Sequence, residues 1–284
     1  MQPSHTWHRL AALGAAALFS TGGAAIKATT LTGWQVACFR SGIAAVTLLL
    51  LVPSARRNWS WQVPLAGIAY ATTLVTFVTA NKLTTSANAI FLQCTGPLYL
   101  LLLSPLLLRE RIHRGDLAVM ALMSAGLGLV LFSGQPQWVT APDPSRGNLI
   151  GIITGVAWAF TIVALRRLGG NRMDGGAAMA AVFMGNIIAC LVTLPLALPV
   201  GPSTINDWFT ITYLGIIQIG LAYLLLTYAV KQLSAMETSL LLLLEPALNP
   251  VWALVVHGER PTNPAILGGV LIFTATFANL FRKT

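Results

Sequence analysis

The chain has 284 residues, of which 56% are hydrophobic and 9% charged, with a formal net charge of +9. A soluble domain carries about 25% charged residues, so this chain lacks the charge to cover a water-facing surface, which excludes a soluble enzyme or binding module. The positive balance does not point to nucleic acid, because the basic residues are spread over short segments between apolar runs and form no block.

A membrane-spanning helix needs about 20 mainly apolar residues. Ten stretches qualify, at about 9–27, 32–52, 61–81, 85–108, 115–133, 148–166, 175–198, 208–230, 235–257 and 263–281. They are read as helices because the apolar runs are continuous, where barrel strands would alternate. The first could be mistaken for a signal peptide, but the residues before it are only weakly basic. The second holds Arg40 some eight residues in from its start. The third is rich in hydroxyls and one amide (Tyr70, Thr72, Thr73, Thr76, Thr79, Asn81), and the fourth holds Gln93, Pro97 and Tyr99. The fifth is apolar with small residues, which suits close helix contact.

Residues 134–147, GQPQWVTAPDPSRG, carry three prolines and two glycines without apolar period and read as a linker outside the membrane. Beyond it, the sixth span carries Gly151, Gly155 and Trp158, the seventh Asn186, and the eighth Gln218 and Tyr223. The ninth carries Glu245, Pro246, Asn249 and Pro250, and the tenth mirrors the fifth. Cys38, Cys94 and Cys190 all fall inside spans, without a disulfide framework or metal-binding spacing.

One stretch occurs twice. Lys82 to Arg111 and Lys231 to Arg260 keep a constant offset of 149 residues, aligning Lys82 with Lys231, Pro97 with Pro246, and Glu110-Arg111 with Glu259-Arg260. The register extends from Trp59 and Trp208 to Phe132 and Phe281. The chain therefore reads as two repeats, 1–133 and 148–284, joined by the linker. With five spans per repeat, the second copy must enter the membrane from the opposite side, which is the pattern of inverted-repeat transporters, whose substrate sites lie near the midplane at interrupted helices. Arg9, Arg56, Arg57, Arg109, Arg111, Arg114, Arg166, Arg167, Arg172, Lys231, Arg282 and Lys283 fall on one side, and Lys27, Lys82, Arg146 and Arg260 on the other. That bias places both termini in the cytoplasm.

Several intramembrane residues are candidates for function, each with a plainer structural alternative. Pro97, Pro246 and Pro250 lack an N–H and free the carbonyls of Gln93, Leu242 and Pro246, giving either hinges beside a cavity or packing kinks. Glu245 lies near the centre of its span, where a carboxylate costs about 3 kcal/mol or more. It would carry a proton, meet a substrate amine, or bond to a neighbouring helix. Arg40 needs a carboxylate, carbonyls or water: a substrate carboxylate and Glu245 are candidates, an anchoring role the alternative. Trp158, Tyr70, Tyr99 and Tyr223 would line the cavity or pack, and Gln93, Gln218, Asn81 and Asn186 would add uncharged polarity that suits a zwitterionic or neutral solute, with Asn249 a further lining candidate on the same helical face as Glu245. Glu110-Arg111 and Glu259-Arg260 are expected to end their helices and pair locally, with a gating role the alternative. No metal motif, phosphate-binding loop or catalytic triad is legible, so no cofactor, no metal and no enzymatic activity are expected.

In these features the chain resembles the drug/metabolite transporter superfamily, in its ten-helix branch of two EamA-type repeats. The stretch AYLLLTYAVKQLSAMETSLLLLLEPALNPVWALVVHGERPT (222–262) and the Gly96-Pro97 and Arg109-Glu110-Arg111 landmarks carry the resemblance. It implies an all-α basket whose central cavity is lined by helices 1, 3, 4, 6, 8 and 9, with helices 5 and 10 peripheral, working by alternating access in a bacterial-type inner membrane. By analogy it implies export of aromatic or neutral amino acids or similar metabolites. Its partners would be a small polar solute, the lipid bilayer and, through Glu245, protons. An importer, a multidrug or sugar-type carrier, and a non-transporting receptor or scaffold are the alternatives.

Overall fold

The computed structural model describes residues 3–56, 59–107, 114–133, 139–169, 176–233 and 235–282. Among them there is no β-strand. Seven stretches are long and apolar enough to cross a membrane: Thr6–Lys27, Gly33–Leu51, Gln62–Leu83, Pro144–Leu165, Gly176–Ala197, Ile205–Ala229 and Leu240–His257. Ser86–Leu102, Gly115–Leu131 and Asn263–Ala278 are shorter apolar helices, lying on the fourth, fifth and tenth predicted stretches.

Four of the predicted continuous helices are interrupted. The first divides into α1 (Pro3–Ser20) and α2 (Gly22–Lys27). After α3 (Gly33–Leu51) and α4 (Gln62–Leu83), the fourth divides into α5 (Ser86–Gln93) and α6 (Gly96–Leu107). Then follow α7 (Arg114–Leu131), α8 (Pro144–Gly169) and α9 (Gly176–Ala197). The predicted 208–230 helix is α10 (Ile205–Tyr213), a π-helical stretch Leu214–Leu221, and α11 (Ala222–Ala229). The ninth divides into α12 (Ala235–Leu242) and α13 (Leu244–His257), and α14 (Asn263–Arg282) closes the chain.

Local sequence accounts for the boundaries. Thr32 caps α3 with Gln35 in a reciprocal capping box, and Thr204 does the same for α10 with Asp207. Gly258 ends α13 in the left-handed region at φ 69°, which a residue without Cβ adopts at no cost. The breaks at Cys94–Thr95 and Leu243 hold the same register under the offset of 149 and each precedes its proline, Pro97 or Pro246. Neither proline can donate to the carbonyl four residues earlier. At the first break Leu98 N–H instead reaches Thr95 O at 2.8 Å, and the Thr95 hydroxyl donates to Leu92 O at 2.5 Å.

The helices pack in pairs: α4 on α8 and α9, α3 on α9 and on the π-helical stretch, α1 on α11 and α13, α5 on α8 and α13, and α7 on α14. Gly151 and Gly155 on α8 receive the broken α5–α6 segment. A Cβ at Gly155 would lie 2.6 Å from Leu92 O and 2.8 Å from Thr95 Oγ1.

Gly155→Val should therefore lower the thermal unfolding midpoint of the purified protein in detergent, by an overpacking cost of about 1–3 kcal/mol. Gly128→Ala, at a position with nothing within 4 Å of an added Cβ, should leave it unchanged.

Candidate functional site

Around the helix breaks, polar residues collect at three levels. The central level forms where α4, α9 and α11 meet. Tyr223 donates its hydroxyl proton to Tyr70 at 2.9 Å, and the two rings stand edge to face with centroids 6.3 Å apart. Phe19 lies edge-on to Tyr223 at 5.1 Å, and Trp158 packs on the same cluster. Glu245, in the first turn of α13, is half-buried and lies near enough to Tyr70, Tyr223 and Cys94 to interact with them electrostatically. Arg40, 2% exposed, approaches the same two tyrosines from α3.

The asymmetry between Gly96 and its second-copy counterpart Glu245 has a packing cause. A Cβ at Gly96 would lie 2.8 Å from Trp158 Cδ1 and 3.4 Å from Gly155 O, so the indole occupies the place a side chain would take. Tyr99 packs in a separate cluster with Leu100, Ala159 and Val163. Gln93 is half-buried at the last residue of α5.

The second level lies at the break of the first span. Gln218, within the π-helical stretch, donates from Nε2 to Phe19 O at 3.3 Å, while its Oε1 has no partner. Asn249 is fully buried beside Gly23 of α2, and both its amide atoms lack partners. Ser86, which also faces Gly23, donates to Asn81 Oδ1 at 3.1 Å. Asn81 in turn donates to Phe77 O.

The third level seals the end of the bundle where α2, α4 and α13 finish. Lys27 Nζ lies 2.9 Å from Glu259 Oε1, and both side chains are 1% exposed. Lys27 also donates to Thr84 O at 2.7 Å and to Thr140 O. Glu259 accepts from Thr140 Oγ1 at 2.6 Å and, through Oε2, from Ser86 N–H at 3.0 Å. The carboxylate thereby caps the N-terminus of α5, where the helix dipole favours negative charge. Lys82 donates to Thr29 O, and Thr30 to Asp207. The expected local pairing of Glu259 with Arg260 does not occur: Glu259 turns inward across the bundle and Arg260 is exposed. A left-handed Gly258 directly before Glu259 reverses the chain and directs the carboxylate inward. Glu110 and Arg111 lie outside the described residues. The opposite end carries an exposed pair, Arg9 Nε to Glu237 Oε1 at 2.5 Å.

Sequence reasoning missed Lys27 and Thr140. Lys27 stands out only as a lysine closing an apolar span, and its partner is far along the chain. Of the residues singled out beforehand, Tyr70, Tyr223, Trp158, Glu245 and Arg40 come together. Gln218, Asn81 and Asn249 form the level beyond, and Tyr99 stands apart.

Removing one member of a buried ion pair strands the other at a cost of about 3–5 kcal/mol, whereas neutralising both is often tolerated. Lys27→Met should lower the thermal midpoint more than the double variant Lys27→Met/Glu259→Gln, measured by thermal unfolding in detergent.

Comparisons with known proteins agree with this architecture. The model of the EamA-like transporter family matches residues 6–132 and 145–281. The pseudopaline exporter of Pseudomonas aeruginosa is 28% identical over 270 residues, which is 92% of this chain and 91% of that protein. An uncharacterized transporter of Bacillus subtilis is 23% identical over 246 residues, 83% of this chain and 80% of its own length. A crystal structure with 21% sequence identity superposes with a TM-score of 0.62, covering 95% of this chain and 96% of its own, and so shares the fold.

Proposed function

Because the chain belongs to the EamA-like transporter family, we propose that it exports amino acids, aromatic or neutral, or similar small metabolites by alternating access. Family membership makes the chain a multi-pass membrane transporter of a small molecule, not an enzyme. The observation that carries the finer reading is the cluster of Tyr70, Tyr223, Trp158, Arg40 and Glu245 beside interrupted helices, with the buried Lys27–Glu259 pair at one end of the bundle. Enclosed polar lining at helix breaks is how transporters of this architecture hold a solute at mid-depth. Export is favoured over import by the likeness to the pseudopaline exporter.

The fold is taken as ten spans in two inverted repeats. Two observations support this. The breaks at Cys94–Thr95 and Leu243 share the repeat register. Lys82, at the start of the first copy, bonds to Thr29 beyond the end of α2, whereas Glu237, soon after Lys231 at the start of the second, pairs with Arg9 near the beginning of α1. In this reading the Lys27 end faces outward from the inner membrane and is closed, both termini lie in the cytoplasm, and Pro97, Pro246 and Pro250 flank the segments that bend. Glu245 is the group that would couple a proton.

The test is flux of labelled L-phenylalanine and L-leucine in proteoliposomes. Saturable flux is expected, reduced about 10-fold or more by Trp158→Ala or Gln93→Ala through loss of lining contacts. Glu245→Gln should abolish the response to a pH gradient. Absence of saturable flux for every small solute tried would favour a receptor or scaffold. A pH response unchanged in Glu245→Gln would leave facilitated diffusion.

A further inference from the structure

Arg40 sits near the middle of α3 with 2% of its surface exposed. A guanidinium does not lose its proton in a protein, so a full positive charge is buried there. Its Nε has no hydrogen-bond partner, and neither ion pair among the described residues involves it. Among the described residues, the elements packed on this part of α3 bring no carboxylate into an ion pair with it. α4 and α11 contribute Tyr70 and Tyr223, α9 contributes Asn186, and the π-helical stretch contributes Gly215, where a Cβ would lie 3.1 Å from Arg40 O. The Asn186 amide donates to Val182 O at 2.9 Å, and its side chain lies beside the Tyr70 hydroxyl. Glu245, the carboxylate facing the same tyrosines, does so from α13 and forms no ion pair with Arg40.

A buried charge is ordinarily paired or bound to a ligand, since leaving it bare costs several kcal/mol. Among the described residues no carboxylate pairs with Arg40, while two phenol hydroxyls and an amide lie nearby. A guanidinium matches a carboxylate in a planar, two-bond geometry that no neutral group reproduces.

We propose that Arg40, flanked by Tyr70 and Tyr223, receives the carboxylate group of the transported solute, so that the site selects carboxylate-bearing small molecules over their amides and amines. This rests on the reading of the chain as a carrier of amino-acid-like solutes and adds to it the group that is recognised. It also draws α3 into a cavity that the family resemblance lines without it.

The reconstituted full chain tests this with no variant required. Uptake of labelled L-phenylalanine is measured against three competitors: 3-phenylpropionate, which keeps the carboxylate, and L-phenylalaninamide and phenethylamine, which lack it. The acid should compete, and the amide and amine should need about 10-fold higher concentration or more, as expected for loss of a charge-assisted hydrogen bond. Arg40→Gln should raise the KM about 10-fold and erase the distinction between acid and amide, while Arg40→Lys, a point charge, retains part of it. A merely structural arginine would alter folding without altering that distinction. Equal competition by acid and amide in the wild type, or full discrimination retained in Arg40→Gln, overturns the inference and leaves the transport reading intact. Thermal stabilisation of the detergent-purified chain by the same compounds is read in parallel, so that absent flux, which overturns the transport reading, still decides the role of Arg40. Stabilisation by 3-phenylpropionate but not by the amide supports it, and equal or absent stabilisation overturns it.

Discussion

Inside a bilayer, every backbone N–H and C=O must find a partner within the protein or in an enclosed polar space. That constraint makes the chain helical, and it makes each interruption of a helix informative. Three spans break, at Thr21, Cys94–Thr95 and Leu243, and a fourth relaxes into a π-helical stretch at Leu214–Leu221. Side chains take up what the breaks release: the Thr21 and Thr95 hydroxyls bond back to Leu18 and Leu92, and Gln218 from the π-helical stretch bonds to Phe19 O. Such irregular backbone is tolerated at membrane depth where protein or a polar cavity surrounds it, so the breaks and the polar level between them are two sides of one arrangement.

Charge is handled in two contrasting ways within that frame. At one end Lys27 and Glu259 neutralise each other, and threonines, a serine amide and carbonyls complete their coordination. In the centre Arg40 and Glu245 both face the tyrosine pair, yet do not pair with each other. The first arrangement holds one conformation of the bundle. The second is where the proposed function places the solute and the proton. A carrier needs both, a seal that can be broken at one end and an unsatisfied interior that rewards occupancy.

Much of this was legible in the sequence. Apolar runs of the right length located the helices, and the repeated Pro97 and Pro246 marked where two of them break. The intramembrane Arg40, Tyr70, Trp158, Tyr223 and Glu245 stood out because polar and charged groups are costly at that depth. What the sequence could not supply is pairing across the fold. Tyr70 and Tyr223 lie far apart along the chain, and only tertiary packing joins their hydroxyls. Lys27 looked like an ordinary residue at the end of a span, and Glu259 had a nearer arginine in Arg260. Burial decided otherwise, because an inward-facing lysine needs a carboxylate more than an exposed arginine does. The π-helical stretch carries no hydropathy signature, since its residues are as apolar as those of an α-helix. It packs closely on α3, where Thr47 fills the space over Gly220.

The proposed transport depends on two copies of one bundle lying in opposite directions across the membrane. Single cysteines at Lys82 and Lys231, in a background with Cys38, Cys94 and Cys190 replaced, test it most directly through labelling by a membrane-impermeant maleimide in vesicles of known sidedness. Labelling of the two positions from opposite faces is the predicted result. Labelling of both from the same face would contradict the arrangement on which the cavity, its seal and the proposed transport all depend.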